Sequence, residues 1–222
     1  MSGRPAAVIF DMDGVIFDSE RAILSCWVDV AERRGIPGVE AVLRRCLGVN
    51  PAETVRIFRE AYGDAFSFPD CSGEATALFY ERYGGGRLPV KPGAADLLER
   101  LRRESVPAAL ASSTPTHIVR RELAEAGLLG YFGEIVGGDR VSRSKPAPDI
   151  FLYAAELLQT DPTDCWVIED SYNGVRGAWA AGMRPIMVPD LVEPDGEMRR
   201  KARIILPTLT EVERFFFPPS EP

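Results

Sequence analysis

The sequence predicts an α/β chain in which a parallel sheet is interrupted, after its first strand, by a block of helices. Three observations carry this. Residues 6–10, Ala-Ala-Val-Ile-Phe, are five apolar residues in a row with Gly14 close behind, which reads as a short strand buried on both faces. Residues 19–83 show helical spacing and no convincing strand. From residue 88 onward strand and helix patterns alternate, as in βαβ units and a parallel sheet.

The first strand delivers two carboxylates, Asp11 and Asp13. If the extended backbone continues, side chains two residues apart point the same way. Held close, two such charges repel by ~1 kcal/mol in water and by ~4 kcal/mol at a protein surface. A cation or a shared proton offsets that cost. Oxygen donors are what Mg2+ prefers, and in open α/β sheets the active site lies beyond the carboxyl ends of the strands. A metal-dependent carboxylate site therefore fits this stretch. So does a polar turn, because Asp13-Gly14 is also a turn signal; these residues alone leave both readings open.

The chain has 222 residues, 45% hydrophobic and 27% charged, enough for one or two compact domains with a real core. No apolar run reaches the length that crosses a bilayer, and residues 1–5 lead straight into the first strand, so no signal peptide is expected. A net charge of −7 argues against a broad nucleic-acid-binding surface. Cys26, Cys46, Cys71 and Cys165 are scattered and read as reduced packing thiols of a cytoplasmic protein. His117 is the only histidine, which speaks against catalytic triads and histidine-rich zinc sites.

In chain order, a helix is expected from near Glu20, capped by Asp18 or Ser19 and ended by Gly35. A second covers 40–47. A third starts at Asn50-Pro51-Ala52-Glu53 and has Val55, Phe58 and Tyr62 on its apolar face. A fourth, 73–83, is broken by Gly84-Gly85-Gly86. Helices are then expected at 94–104, 116–126, 149–158 and 173–181. Strands are expected at 107–111, 134–136, 165–168, 184–188 and 202–206. Thr210 and Glu213 suggest a capping box for a last helix, with a frayed tail from Pro218. The helical block reads as an insertion, with joins near 16–19 and 84–91 that hold the glycines and prolines of a hinge.

Three more polar clusters fall at strand ends. Ser112 follows a strand and opens a helix, where free backbone N–H groups favour an anion. Lys145 lies in a proline-rich loop, and Glu169-Asp170 close another strand. Singly, a serine is more often a helix cap and a lysine a solvated loop residue. Their order and shared placement at strand ends suggest one phosphate-and-metal site.

Together these stretches resemble the haloacid dehalogenase (HAD) superfamily, in its β-phosphoglucomutase-like branch. Phe10-Asp11-Met12-Asp13-Gly14-Val15 resembles the first motif and Leu110-Ala111-Ser112 the second. Lys145-Pro146-Ala147-Pro148-Asp149 resembles the third, and Val167-Ile168-Glu169-Asp170-Ser171 with Gly174 the fourth. The resemblance spans essentially the whole chain. It implies a Rossmann-like parallel sheet core (1–17 and 88–222) with an inserted helical cap (18–87).

It also implies roles. Asp11 would be the nucleophile that forms an aspartyl-phosphate, and Asp13 the general acid and then base. Mg2+ would be held by the Asp11 carboxylate, the Asp13 backbone carbonyl and Asp170, with Glu169 just outside that ligand set. Ser112, the backbone N–H of Ser113, and Lys145 would hold the phosphoryl oxygens. True dehalogenases lack the second acid and need no metal, so Asp13 separates this chain from them.

Branch members divide into phosphatases and sugar-phosphate mutases. The mutases carry a His soon after the first motif, and residues 19–27 contain none; they carry an Arg in a cap loop where this chain has Pro51. The expectation is a Mg2+-dependent phosphatase of small sugar or polyol phosphates, working as a monomer without nucleic acid or membrane, with a β-phosphoglucomutase-like mutase as the alternative. Arg44, Arg45 and Arg87 could reach a substrate phosphate, though solvated arginines are the plainer reading. Phe215-Phe216-Phe217 suggests a C-terminal helix docked on the core.

Overall fold

The computed structural model describes residues 4–47 and 51–219. The helix start expected at Asn50, and the last three residues of the tail, lie outside the described residues. The chain divides into two compact units: Met1–Phe17 with Val90–Pro222, and Asp18–Pro89. The second join thus falls at 90, not 88. Phe17 bridges Val90, and the Lys91 N–H donates to the Ile16 carbonyl at 2.8 Å, so the two connecting segments meet inside the first unit.

Strand β1 (Ala7–Phe10) is buried along its whole length. The helical unit follows with α1 (Ser19–Arg34), α2 (Val39–Cys46), α3 (Pro51–Tyr62) and α4 (Phe68–Tyr83). Gly35, at φ 66°, ends α1 in the left-handed conformation that glycine adopts without strain. Cys26, Trp27 and Val30 of α1, Val42 and Leu43 of α2, Phe58 of α3 and Cys71 and Ala75 of α4 form one apolar core. Within it the Phe58 ring lies 5.0 Å from Trp27, 5.6 Å from Phe66, 5.0 Å from Phe68 and 6.0 Å from Tyr62. Val55, expected on this face, is 37% exposed, and Ile57 takes its place; the buried stripe is centred between Ile57 and Phe58, which turns Val55 outward. Helix α4 begins five residues before Gly73, because Pro69 occupies the first turn, where a missing N–H costs nothing.

The α/β unit continues with α5 (Ala94–Arg103), β2 (Ala108–Ala111), α6 (Thr116–Glu125), β3 (Glu134–Val136), α7 (Asp149–Leu157), β4 (Cys165–Glu169), α8 (Tyr172–Ala180), β5 (Arg184–Met187), α9 (Met198–Lys201), β6 (Ile204–Ile205) and α10 (Leu209–Phe216). The six strands form one parallel sheet in the order β3-β2-β1-β4-β5-β6. This is the Rossmann-like arrangement, with β1 at the centre: Ile9 is in register with Ala109 on one side and Val167 on the other. Alternate residues share a face, so Ala7, Ile9, Ala109, Ala111 and Val167 pack together against Ile150, Phe151 and Ala154 of α7 and Ala178 of α8.

One expectation is corrected here. The last helix is capped by Thr208, whose side chain accepts from Glu211 N–H, and not by Thr210. Both threonines precede a glutamate by three residues, but a start at Leu209 puts Leu209, Val212 and Phe216 on the buried side. The single turn α9 had no signal, since three of its four residues are basic and only Met198 is buried. The Phe215 and Phe216 rings lie 5.4 and 5.6 Å from Trp166 of β4, so the aromatic tail is core packing.

Candidate active site

Three strands end side by side at one edge of the sheet. β1 runs into Asp11, whose N–H donates to the Ile168 carbonyl at 3.0 Å and so extends the ladder by one step. β2 runs into Ser112, tied in the same way to Val136 at 3.0 Å. β4 ends in Glu169, with Asp170 next. Asp11, Ser112, Glu169 and Asp170 are all buried, and they are four of the five buried polar or charged side chains among the described residues. Buried charges are rare unless paired, so this clustering at one place in the sheet is itself informative.

Lys145 does the pairing. Its Nζ donates to Asp11 Oδ1 at 2.5 Å, to Glu169 Oε1 at 2.7 Å and to the Ala111 carbonyl at 3.0 Å. Three donors on one ammonium meet three acceptors from three strands. Glu169 is held at both ends: its Oε2 accepts from the N–H groups of Asp170 and Ser171 at 3.1 Å each and from Ser171 Oγ at 3.0 Å. Ser171 Oγ in turn accepts from Gly174 N–H and caps α8. A Cβ at Gly174 would overlap the Glu169 carboxylate, which explains the glycine.

The charges do not balance. Burial pushes the Asp11 carboxyl up to about 8; Lys145 pulls it down, while Glu169 and Asp13 push it further up. For Lys145, burial opposes the charge, but Asp11 and Glu169 outweigh it and hold the ammonium protonated. One cation thus faces several carboxylates.

Asp13 sits in a tight turn rather than on a continued strand: the N–H groups of Ile16 and Phe17 both donate to the Met12 carbonyl, and Gly14 N–H donates to Phe17. Asp13 Oδ2 accepts from Thr114 Oγ1 at 3.4 Å, and Thr114 N–H donates to Ser112 Oγ at 3.0 Å. Thr114 is the residue that sequence reasoning did not single out; it lies two positions past Ser112, which was the signal available, and Ser171, quoted within the fourth motif, had been given no role. Ser113 presents an exposed side chain, and a Cβ at Gly138 would strike its carbonyl. His117 is exposed. Arg45 pairs with Glu60, and Arg87 caps the end of α4 by donating to the Gly84 and Glu81 carbonyls.

The residues fit a hard divalent cation. Carboxylate oxygens of Asp11, Glu169 and Asp170 lie within 4.8 Å of one another. Both Glu169 oxygens are already engaged, whereas Lys145 engages only Oδ1 of Asp11. Asp11, Glu169 and Asp170 would thus surround a cation, with Glu169 also bonded to Lys145 and Ser171. The Asp13 carboxylate is not in this cluster. Gly14, at φ 75°, is required here: a Cβ would fall on the Asp170 carboxylate. A divalent cation would also correct the excess of negative charge.

Comparison with known proteins agrees with this geometry. The profile of haloacid dehalogenase-like hydrolases matches residues 5–182. The chain is 36% identical over 184 residues to a phosphorylated carbohydrates phosphatase of Thermotoga maritima, covering 81% of this chain and 83% of that one. It is 34% identical over 187 residues to hexitol phosphatase A of Escherichia coli K12, covering 83% of each. Among solved structures it superposes on a HAD family hydrolase from Deinococcus radiodurans R1 with bound phosphate and sodium, with a TM-score of 0.76, 29% identity and coverage of 96% and 95%. With a matched profile over most of its length and relatives above 30% identity covering over four fifths of the chain, the chain belongs to the haloacid dehalogenase-like hydrolases.

Proposed function

We propose that the protein is a Mg2+-dependent phosphatase of small phosphorylated metabolites, of the sugar or polyol phosphate class. The observation that carries this reading is Asp11: a buried carboxylate at a strand end, gripped at one oxygen by Lys145 and lying within a three-carboxylate cluster. The relatives named above, which act on phosphorylated carbohydrates and hexitols by their names, support the substrate class.

In this mechanism the Asp11 carboxylate attacks phosphorus and the bond from phosphorus to the leaving oxygen breaks. The Asp13 carboxyl gives its proton to that oxygen, so a neutral alcohol departs. The Asp13 carboxylate then takes a proton from water, whose oxygen attacks the aspartyl-phosphate; inorganic phosphate leaves and Asp11 is restored. Ser112, the Ser113 N–H and Lys145, which turns one of its three N–H groups from a protein acceptor to the ester, hold the phosphoryl oxygens. Mg2+, held by Asp11, Asp170 and the Asp13 carbonyl, supplies when bound the positive charge that lets an anionic ester approach a carboxylate. Glu169 orients Lys145 through its Oε1. The enzyme works as a cytoplasmic monomer and needs neither nucleic acid nor membrane.

A panel of sugar, polyol and nucleotide monophosphates, with and without Mg2+, tests the proposal. The expected result is phosphate release that requires Mg2+ and vanishes in Asp11→Asn. Silence across the panel overturns it, and isomerised sugar phosphate outpacing free phosphate means a mutase.

A further inference from the structure

The loop after β3 bears no motif of the family resemblance, yet four hydrogen bonds tie it to the loop after β2. Asp139 Oδ1 accepts from Thr116 N–H at 2.6 Å and from Thr116 Oγ1 at 2.7 Å. Gly137 N–H donates to Thr116 Oγ1 at 3.2 Å, and Gly138 N–H donates to the Thr114 carbonyl at 3.0 Å. The two glycines permit the approach: a Cβ at Gly137 would overlap Thr116, and one at Gly138 would overlap the Ser113 carbonyl. Asp139 therefore caps α6 from outside the helix, since Pro115, at the cap position, has no side-chain acceptor to offer. Between these anchors lies Thr114, whose N–H donates to Ser112 and whose hydroxyl donates to Asp13.

We propose that Asp139 is a positioning residue for the acid–base step: it fixes the turn 114–116 so that the Thr114 hydroxyl holds the Asp13 carboxyl toward the leaving oxygen. This rests on the reading of Asp13 as general acid. The logic is geometric. A threonine in a loop has freedom to turn its hydroxyl away, and the 3.4 Å contact tightens only if the main chain is held on both sides of it. Asp139 holds residue 116, Gly138 holds the carbonyl of 114, and Ser112 holds its N–H. Asp139 itself is exposed and touches none of the reacting groups, so its effect passes through Thr114.

The test uses leaving groups. A p-nitrophenolate departs without a proton, whereas a glycerol alkoxide needs one. Single-turnover formation of the phosphoenzyme is measured for p-nitrophenyl phosphate and for glycerol phosphate. The expected result is that Asp139→Ala and Thr114→Val slow the alkyl ester by roughly 10-fold or more while changing the aryl ester by under about 3-fold, KM for both staying near the wild-type value. Asp139→Asn and Thr114→Ser, which keep the acceptor and the hydroxyl, recover the alkyl rate. An equal loss on both esters, or no loss on either, overturns the proposal. So does failure of both conservative variants to recover the alkyl rate. Failure of the phosphatase reading looks different, because then the wild-type protein itself turns over neither ester.

Discussion

The two units are built on opposite terms. In the helical unit every buried cluster among the described residues is apolar, with Phe58 surrounded by four aromatic rings, and charge is kept to surface pairs such as Arg34–Glu74. In the α/β unit the same kind of apolar packing supports a sheet whose central strands end in Asp11, Ser112, Glu169 and Asp170, closed around Lys145. Burying charge is expensive unless it is fully paired, and replacing such groups by apolar ones is often neutral or stabilising. A charged cluster at the sheet edge is therefore explained by chemistry, while the helical unit needs only shape and apolar area to be explained. The comparison says where changes strike function and where they strike stability.

The sharpest break comes at Asp11. Asp11→Asn keeps the volume and an acceptor for Lys145 but removes the proposed nucleophile; turnover falls by ~10^4 or more, with far-UV circular dichroism unchanged. Phe58→Ala reverses the pattern. It opens a cavity among four rings and costs about 3–5 kcal/mol of stability, read by denaturant unfolding. If it lowered activity without lowering stability, the division of labour between the units would be wrong.

Glu122, on α6, refines the contrast. Its side chain is only 10% exposed, and burial, with a contribution from Asp13, pushes its carboxyl up to about 7. A carboxyl whose folded value is raised binds its proton more tightly in the native state, so its contribution falls as pH rises from about 4.5 through 7. Glu122→Gln therefore gains on the order of 2 kcal/mol relative to wild type between pH 5 and pH 8, measured by urea unfolding at both. An unchanged pH slope would show that Glu122 titrates normally. The smallest effect belongs to the helical unit's surface: Arg34→Ala, which breaks the exposed pair with Glu74, shifts stability by no more than ~1 kcal/mol, and high salt removes even that.

The sheet was readable from the sequence because short apolar runs between glycines and prolines leave little choice of structure. Strand 134–136 was placed to the residue, and β1, β2, β4 and β5 to within one. What escaped was decided by tertiary context. Thr208 and Thr210 are equivalent capping signals locally, and only the burial of Leu209 and Phe216 separates them. Val55 and Ile57 are both apolar on one helix, and which faces inward depends on the neighbouring rings. In the site, Asp11, Lys145, Glu169 and Asp170 stood out as strand-end or loop charges and do meet. Thr114, Ser171 and Asp139 look like ordinary turn residues until the loops they join are side by side.

The central strand also sets a schedule. β1 is synthesised well before its partners, since Val8 pairs with Ala108 and Ala7 with Cys165. At ~5–20 residues per second on a ribosome, the first partner arrives roughly 5–20 s after the strand itself, and the second later still. For that interval an apolar, edge-exposed segment waits, while residues 18–89 have all they need to gather their own core. The strand that leads into Asp11 thus emerges before its partners and is among the last to find its place, so the nascent chain is more exposed to aggregation and to chaperones than the finished enzyme.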